Sequence, residues 1–212
     1  MEGRSMLTEI TYHHDWSDEA IADWMVETLC ADLMQREGEV AVTVPGGSTP
    51  FPILAAMAGK DLDWARLAFW PGDDRMVDPD HEASNFGRLR EVLSQTDAKI
   101  MPLAEDSTPP HFALAWLGMG GDGHVASLFP NTDPRIDDSR TVRRLTPDPL
   151  PPEAPFDRVT LTLPKFLTAE HLVFVIRGEE KRTVFEAAAK GENDLPIARL
   201  LQNARASVTC FA

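Results

Sequence analysis

The stretch Val40-Ala41-Val42-Thr43-Val44-Pro45-Gly46-Gly47-Ser48-Thr49-Pro50 decides the fold. Val40 to Val44 are apolar or β-branched on both faces, the pattern of a strand buried on both sides of a parallel sheet. Pro45 and the two glycines stop that strand, and Pro50 opens a helix that Gly59 closes. A buried strand that passes through a glycine turn into a helix is the building unit of a sheet with helices on both faces. The same grammar recurs outward. Upstream, Ser17 opens a helix running to Gly38, with Ile21, Trp24, Met25, Thr28, Leu29 and Leu33 on one face. Downstream, Leu67 to Trp70 reads as a second buried strand, Ser84 to Leu93 as a helix, and Phe112 to Leu117 as a third strand. Val159 to Leu163 and Leu172 to Ile176 read as strands, followed by helices at Glu179 to Lys190 and Ile197 to Gln202 and a last strand at Ser207 to Phe211. Alternation of this kind predicts right-handed crossovers and a mostly parallel sheet. Pro130 to Pro155, rich in Pro and Asp, reads as a long loop inside one domain spanning residues 6–212. Met6 offers a second start, which would make residues 1–5 an expression remnant.

Composition narrows the function. The 212 residues carry 34 Asp and Glu against 20 Lys and Arg, a formal net charge of −14. Such a surface repels nucleic-acid backbones and anionic lipid, so neither is expected as a partner. An anionic substrate therefore needs a local basic exception. Cys30 and Cys210 are too few for a disulfide framework or a thiolate zinc site, and they read as inert buried thiols. No apolar run approaches the roughly 20 residues that span a bilayer, and Met1 to Met6 is too polar for a signal peptide. A cytoplasmic protein is expected.

Ligands of open parallel sheets bind outside the carboxyl ends of the strands, and three polar turns fall there. Gly46-Gly47-Ser48-Thr49 offers close backbone N–H groups, hydroxyls and a helix N-terminus to an anion; a plain strand-to-helix connection with a Ser or Thr cap accounts for it equally well. It is neither a P-loop nor a dinucleotide fingerprint. Gly72-Asp73-Asp74-Arg75 could fork an arginine onto phosphate and an aspartate onto hydroxyls, although a solvated turn with Arg75 paired to Asp73 or Asp74 is the simpler account. Gly118-Met119-Gly120-Gly121-Asp122-Gly123-His124 places four glycines ahead of a histidine at the start of a helix running through Ala126 to Phe129. With Asp122 beside it, His124 could act as a general base or merely cap the turn. The remaining histidines lack metal-ligand spacing, so no metal site is expected.

Together these turns resemble the 6-phosphogluconolactonase family of the glucosamine-6-phosphate isomerase/6-phosphogluconolactonase superfamily. The resemblance rests on Pro45 to Pro50, Asp73-Asp74-Arg75 with Ser84-Asn85, Leu117 to Pro130, Arg158 to Pro164 and Gly178-Glu179-Glu180-Lys181, in family order. It implies a Rossmann-like three-layer α/β/α fold and cofactor-free, metal-free hydrolysis of 6-phosphoglucono-δ-lactone. By that resemblance His124 is the base that activates water, and Asp122 orients it. Arg75, Gly46, Gly47, Ser48 and Thr49 hold the 6-phosphate, with Lys181 a weaker candidate, and Asp73 takes sugar hydroxyls; Arg158 matches a family position whose role could be structural.

Two departures stand out. Asp74 occupies a usual glutamate position. Between Met101 and Phe112, where the family carries a helix, Pro109-Pro110 forbids a long one. The missing helix should bare an apolar face that a second copy could seal, so a monomer or weak homodimer is expected. Rival readings are an amino-sugar-phosphate isomerase/deaminase of the same superfamily, disfavoured by Ala126 to Pro130 and Arg75, and a non-catalytic sugar-phosphate-binding protein, disfavoured by His124, Asp73 and Arg75.

Overall fold

The computed structural model describes residues 9–150, 152 and 154–212; residues 1–5 lie outside them. In chain order the elements are β1 (Ile10–His13), α1 (Asp18–Gln35), β2 (Val40–Val44), α2 (Pro50–Ala58), β3 (Leu67–Pro71) and β4 (Asp73–Arg75). Then come α3 (Asn85–Val92), β5 (Lys99–Ile100), β6 (Phe112–Leu117), β7 (Val142–Leu145), β8 (Arg158–Leu161) and α4 (Leu163–Phe166). The chain closes with β9 (His171–Val175), α5 (Glu179–Ala189), α6 (Pro196–Asn203) and β10 (Ser207–Phe211).

Seven strands form one parallel sheet in the order β1-β10-β9-β6-β2-β3-β5. Its central strands β2, β3 and β6 are buried along their whole length, as their unbroken apolar runs predict. One apolar cluster joins α1, α2 and α3 to one face, through Ile21, Met25, Leu54, Leu89 and Trp116. The other joins α4, α5 and α6 and the small strands to the opposite face, through Phe166, Phe174, Phe185, Leu200 and Leu161. The result is the expected three-layer α/β/α arrangement.

Several local expectations are corrected. Gly72 to Arg75 is no solvated turn: β4 pairs antiparallel with β8, and β8 with β7, in a separate three-stranded sheet. β7 lies inside the stretch read as loop; Arg143 and Arg144 are exposed, so it lacks the apolar run of a buried strand. β8 ends at Leu161 rather than Leu163, and Leu163–Phe166 turns helical because Pro164 cannot donate to a ladder but sits well in a first helical turn. No helix follows His124: residues 124–129 make a turn with Ala126 at φ +52° and isolated bridges Met119–Val125 and Val125–Leu128. β1, whose first and last residues are only half-buried, escaped sequence reading.

The short connection behaves in two ways. Residues 101–111 contain no helix, as expected. The bared apolar face does not follow, because Leu103, Phe112, Ala115 and Trp70 are all buried. The small sheet and α4 cover them. Lys165 of α4 fixes the connection by donating from Nζ to the carbonyls of Pro109 at 2.9 Å and Pro110 at 2.7 Å, over the ring of Phe112. Burial pushes its ammonium pKa down. The reason for seating a second copy on this face is thereby removed.

Asp32 of α1 is a buried carboxylate that function does not use. Its Oδ2 has no partner, and burial raises its pKa despite His171 and Arg36 nearby. A raised folded pKa favours the protonated form, so its contribution is present at low pH and lost as pH climbs through the folded value. Asp32→Asn is expected to raise the melting temperature at pH 7 by roughly 2–4 °C per kcal/mol relieved, and by less at pH 4. Thermal unfolding at both values checks it. Arg36 keeps its two bonds to Glu170, at 3.0 and 2.6 Å.

Candidate active site

The carboxyl ends of β2, β3, β6 and β9 open into a cavity of about 280 Å³. The Gly46–Thr49 turn lines one side, Asp73 and Arg75 another, and Gly118, Gly120 and His124 a third, with Lys181 of α5 at the rim. The structure thus brings the sequence-derived candidates together around one space. Asp122 stands behind His124 rather than in the lining.

His124 is held by its own loop. Its Nδ1 lies 2.6 Å from Asp122 Oδ1, and its backbone N–H donates to the same oxygen at 3.2 Å. A carboxylate only accepts, so Nδ1 carries the proton and Nε2 keeps the lone pair. The ring tilts against Phe129, with centroids 4.8 Å apart. Gly120 and Gly123 make this loop possible for different reasons. A Cβ on Gly120 would lie 2.3 Å from His124 Nδ1. Gly123 sits at φ +77°, and its carbonyl accepts from Ile197 at the start of α6.

The opposite wall is built from α3. Asp74, buried, accepts from the backbone N–H groups of Asn85 at 2.7 Å and Phe86 at 3.0 Å, anchoring the helix start. Burial raises its pKa, while those amides and that of Arg75 pull it down. The shorter acid is therefore fully engaged. Asn85, 1% exposed, then distributes the contacts: Nδ2 donates to the Asp73 carbonyl at 2.8 Å, and Oδ1 accepts from Arg75 Nη1 at 2.9 Å. Its side chain also fills the place where a Cβ on Gly46 would sit, 2.3 Å away. The Arg75 guanidinium does not pair with Asp73 or Asp74, although its backbone N–H donates to Asp74 Oδ1 at 2.8 Å; its other Nη1 bond goes to the Ala83 carbonyl, and its Nε is buried without a partner among the described residues. Asp73 Oδ2 accepts from Ser127 Oγ at 2.5 Å, tying this wall to the His124 loop.

Charge is unevenly used. Most described cations on the surface sit in ion pairs, such as Arg199 with Asp133 and Asp194. Arg75 and Lys181 make none among the described residues, although the protein carries 14 excess negative charges. The N–H groups of Gly47, Ser48 and Thr49 likewise make no hydrogen bond there; Gly47 and Ser48 are exposed and Thr49 half-buried, so these amides are open to water and to an anion alike. Arg158 is 3% exposed and donates to the carbonyls of Phe156 and Ala154, a structural placement. Cys210 is buried, its thiol pushed up to about 12 by desolvation, while Cys30 is half-buried.

Sequence reading missed Asn85 and Ser127 as site-building residues. Asn85 and Ser127 stood inside quoted motifs, yet nothing in their spacing said which partners they would meet.

Comparison with known proteins agrees with this architecture. The family model described as glucosamine-6-phosphate isomerases/6-phosphogluconolactonase matches residues 17–210. The chain belongs to that family. A 6-phosphogluconolactonase of Neisseria meningitidis is 34% identical, with 90% of this chain and 94% of the relative covered. One of Thermotoga maritima is 33% identical over 77% of this chain and 82% of its own. Among solved structures, a 6-phosphogluconolactonase from Shewanella baltica superposes with a TM-score of 0.83 at 26% identity, covering 97% of this chain and 98% of that one.

Proposed function

We propose that the protein is a 6-phosphogluconolactonase, hydrolysing the 1,5-lactone of 6-phosphogluconate to the open acid. The observation that carries the reading is a single small cavity with a histidine–aspartate pair on one wall and unpaired cations with open amides on the other. Its volume, about 280 Å³, leaves room for a small phosphorylated sugar.

In this reading the 6-phosphate lies against Arg75, Lys181 and the amides of Gly46, Gly47, Ser48 and Thr49, and Asp73 Oδ1 accepts from sugar hydroxyls. His124 Nε2 takes a proton from water as the water oxygen bonds to the lactone carbonyl carbon. The carbonyl π pair moves onto its oxygen, which amides of the Gly118-Met119 segment stabilise. The tetrahedral adduct then collapses, the C1–ring oxygen bond breaks, and the imidazolium returns its proton to the departing ring oxygen. Asp122 keeps the ring oriented and steadies its transient charge. One domain, residues 6–212, carries all of this in the cytoplasm. Among the described residues no helix is long and apolar enough to cross a membrane.

The test compares three substrates: the phosphorylated lactone, the unphosphorylated lactone and glucosamine 6-phosphate. Hydrolysis of the first well above its spontaneous opening, with preference over the second, is expected. Turnover of the amino sugar phosphate would favour the isomerase/deaminase reading. Binding without turnover of any would favour a sugar-phosphate-binding protein. Arg75→Ala is expected to raise KM for the phosphorylated lactone roughly 30- to 150-fold, the equivalent of about 2–3 kcal/mol of lost charge-assisted bonding. An unchanged KM would remove Arg75 from the phosphate site.

A further inference from the structure

The turn that faces the anion has little to hold it. Gly47 sits at φ +87° with nothing within 4 Å of where a Cβ would be, so packing does not set its conformation. Thr49 makes no side-chain cap bond at the start of α2. One side chain among the described residues bonds to the backbone of residues 46–49: Arg88 of α3, whose Nη1 donates to the Gly47 carbonyl at 2.8 Å. The guanidinium itself is fixed, lying over the Phe51 ring of α2 with Cζ 3.7 Å from the centroid. Arg88 makes no ion pair among the described residues. Burial, the larger effect, and the neighbouring Arg75 charge lower its pKa, and the Glu91 carboxylate opposes them in part. Arg75 and Arg88 thus carry like charges that act on each other, and neither makes an ion pair among the described residues.

A trans peptide sets its C=O and N–H antiparallel. Holding the Gly47 carbonyl therefore fixes the direction of the Ser48 N–H, which makes no bond among the described residues. We propose that Arg88 is a positioning residue for the substrate phosphate, clamping the Gly46–Thr49 turn so that its amides face the anion and adding its unpaired charge to that of Arg75. This rests on reading the cavity as a phosphorylated-lactone site. It adds a residue from the second turn of α3 that reaches the turn from outside the cavity lining.

The experiment compares wild type with Arg88→Met, which keeps a stem over Phe51 but loses charge and bond, and Arg88→Lys, which keeps the charge. Three quantities are read: KM and kcat for 6-phosphoglucono-δ-lactone, the ratio of kcat/KM for the phosphorylated over the unphosphorylated lactone, and competitive inhibition by inorganic phosphate. In Arg88→Met the KM and the phosphate inhibition constant are expected to rise about tenfold, the scale of one charge-assisted contact. The ratio is expected to fall by a similar factor, and the loss should sit in KM rather than kcat. Arg88→Lys should recover part of it. Equal losses on both lactones, or a lowered melting temperature with the ratio preserved, would overturn the proposal and leave Arg88 a structural strap. A wild type with no preference for the phosphorylated lactone and no inhibition by phosphate would instead overturn the site reading itself, and the proposal with it.

Discussion

Replacing His124 with alanine is expected to lower kcat for the phosphorylated lactone by about 10²–10⁴-fold, the usual worth of a positioned base, with the melting temperature almost unchanged. The side chain is 30% exposed and its loop is held by other contacts: Gly123 N–H to the Gly120 carbonyl at 3.0 Å, and Ile197 N–H to the Gly123 carbonyl at 3.1 Å. Losing the imidazole removes the acceptor for the water proton and leaves the phosphate wall intact, so KM should move far less than kcat. Asp122→Asn should share the direction of the effect. An amide nitrogen facing Nδ1 would donate to it and drive the proton to Nε2, leaving no lone pair toward the water. Stopped-flow or pH-stat hydrolysis, read above the spontaneous opening of the lactone, measures both variants. A His124→Ala protein with wild-type kcat would mean that the base lies elsewhere.

The second large effect is expected from one methyl group. Gly120→Ala should be as damaging to kcat as loss of His124, about 10²–10⁴-fold. The added Cβ would meet His124 Cε1 at 2.2 Å, Nδ1 at 2.3 Å and Asp122 Oδ1 at 2.6 Å, all three the reacting pair itself. Real Cβ atoms do not approach so closely, so the imidazole must swing away or the loop must open. Gly120 is not among the glycines of positive φ, so alanine suits its backbone and the harm is steric rather than conformational. The fold should survive, since both displaced side chains are partly exposed and free to move toward solvent. A Gly120→Ala protein that keeps near-normal kcat would show that the Nδ1–Asp122 contact does not set the base.

The central sheet was legible in the sequence because parallel strands buried on both faces advertise themselves as short unbroken apolar runs. β2, β3 and β6 are such runs, and each stops at a proline or glycine. β4, β7 and the β8 terminus were illegible for the converse reason. Their strands carry Asp73, Asp74, Arg143 and Arg144, which owe their place to antiparallel partners far along the chain rather than to local pattern. At the site, glycine clustering located the loops but not their internal geometry. Four glycines before His124 suggested close backbone approach, and the structure explains two of them by sterics and φ. A helix after His124 was inferred from Ala126 to Phe129, and Ala126 instead enters the left-handed region, an adjustment no propensity signals. Asp74 looked like a loss of one methylene. In the structure its two oxygens meet the amides that start α3, so the shorter side chain serves as a helix anchor.

The most direct measurement follows the lactone itself. With ³¹P NMR or a pH-stat, 6-phosphoglucono-δ-lactone is monitored near neutral pH with catalytic amounts of wild-type protein, and without it. The cavity as described requires the decay of the 1,5-lactone to accelerate in proportion to protein concentration and to yield 6-phosphogluconate. Decay at the spontaneous rate, whatever the amount of protein added, would contradict it.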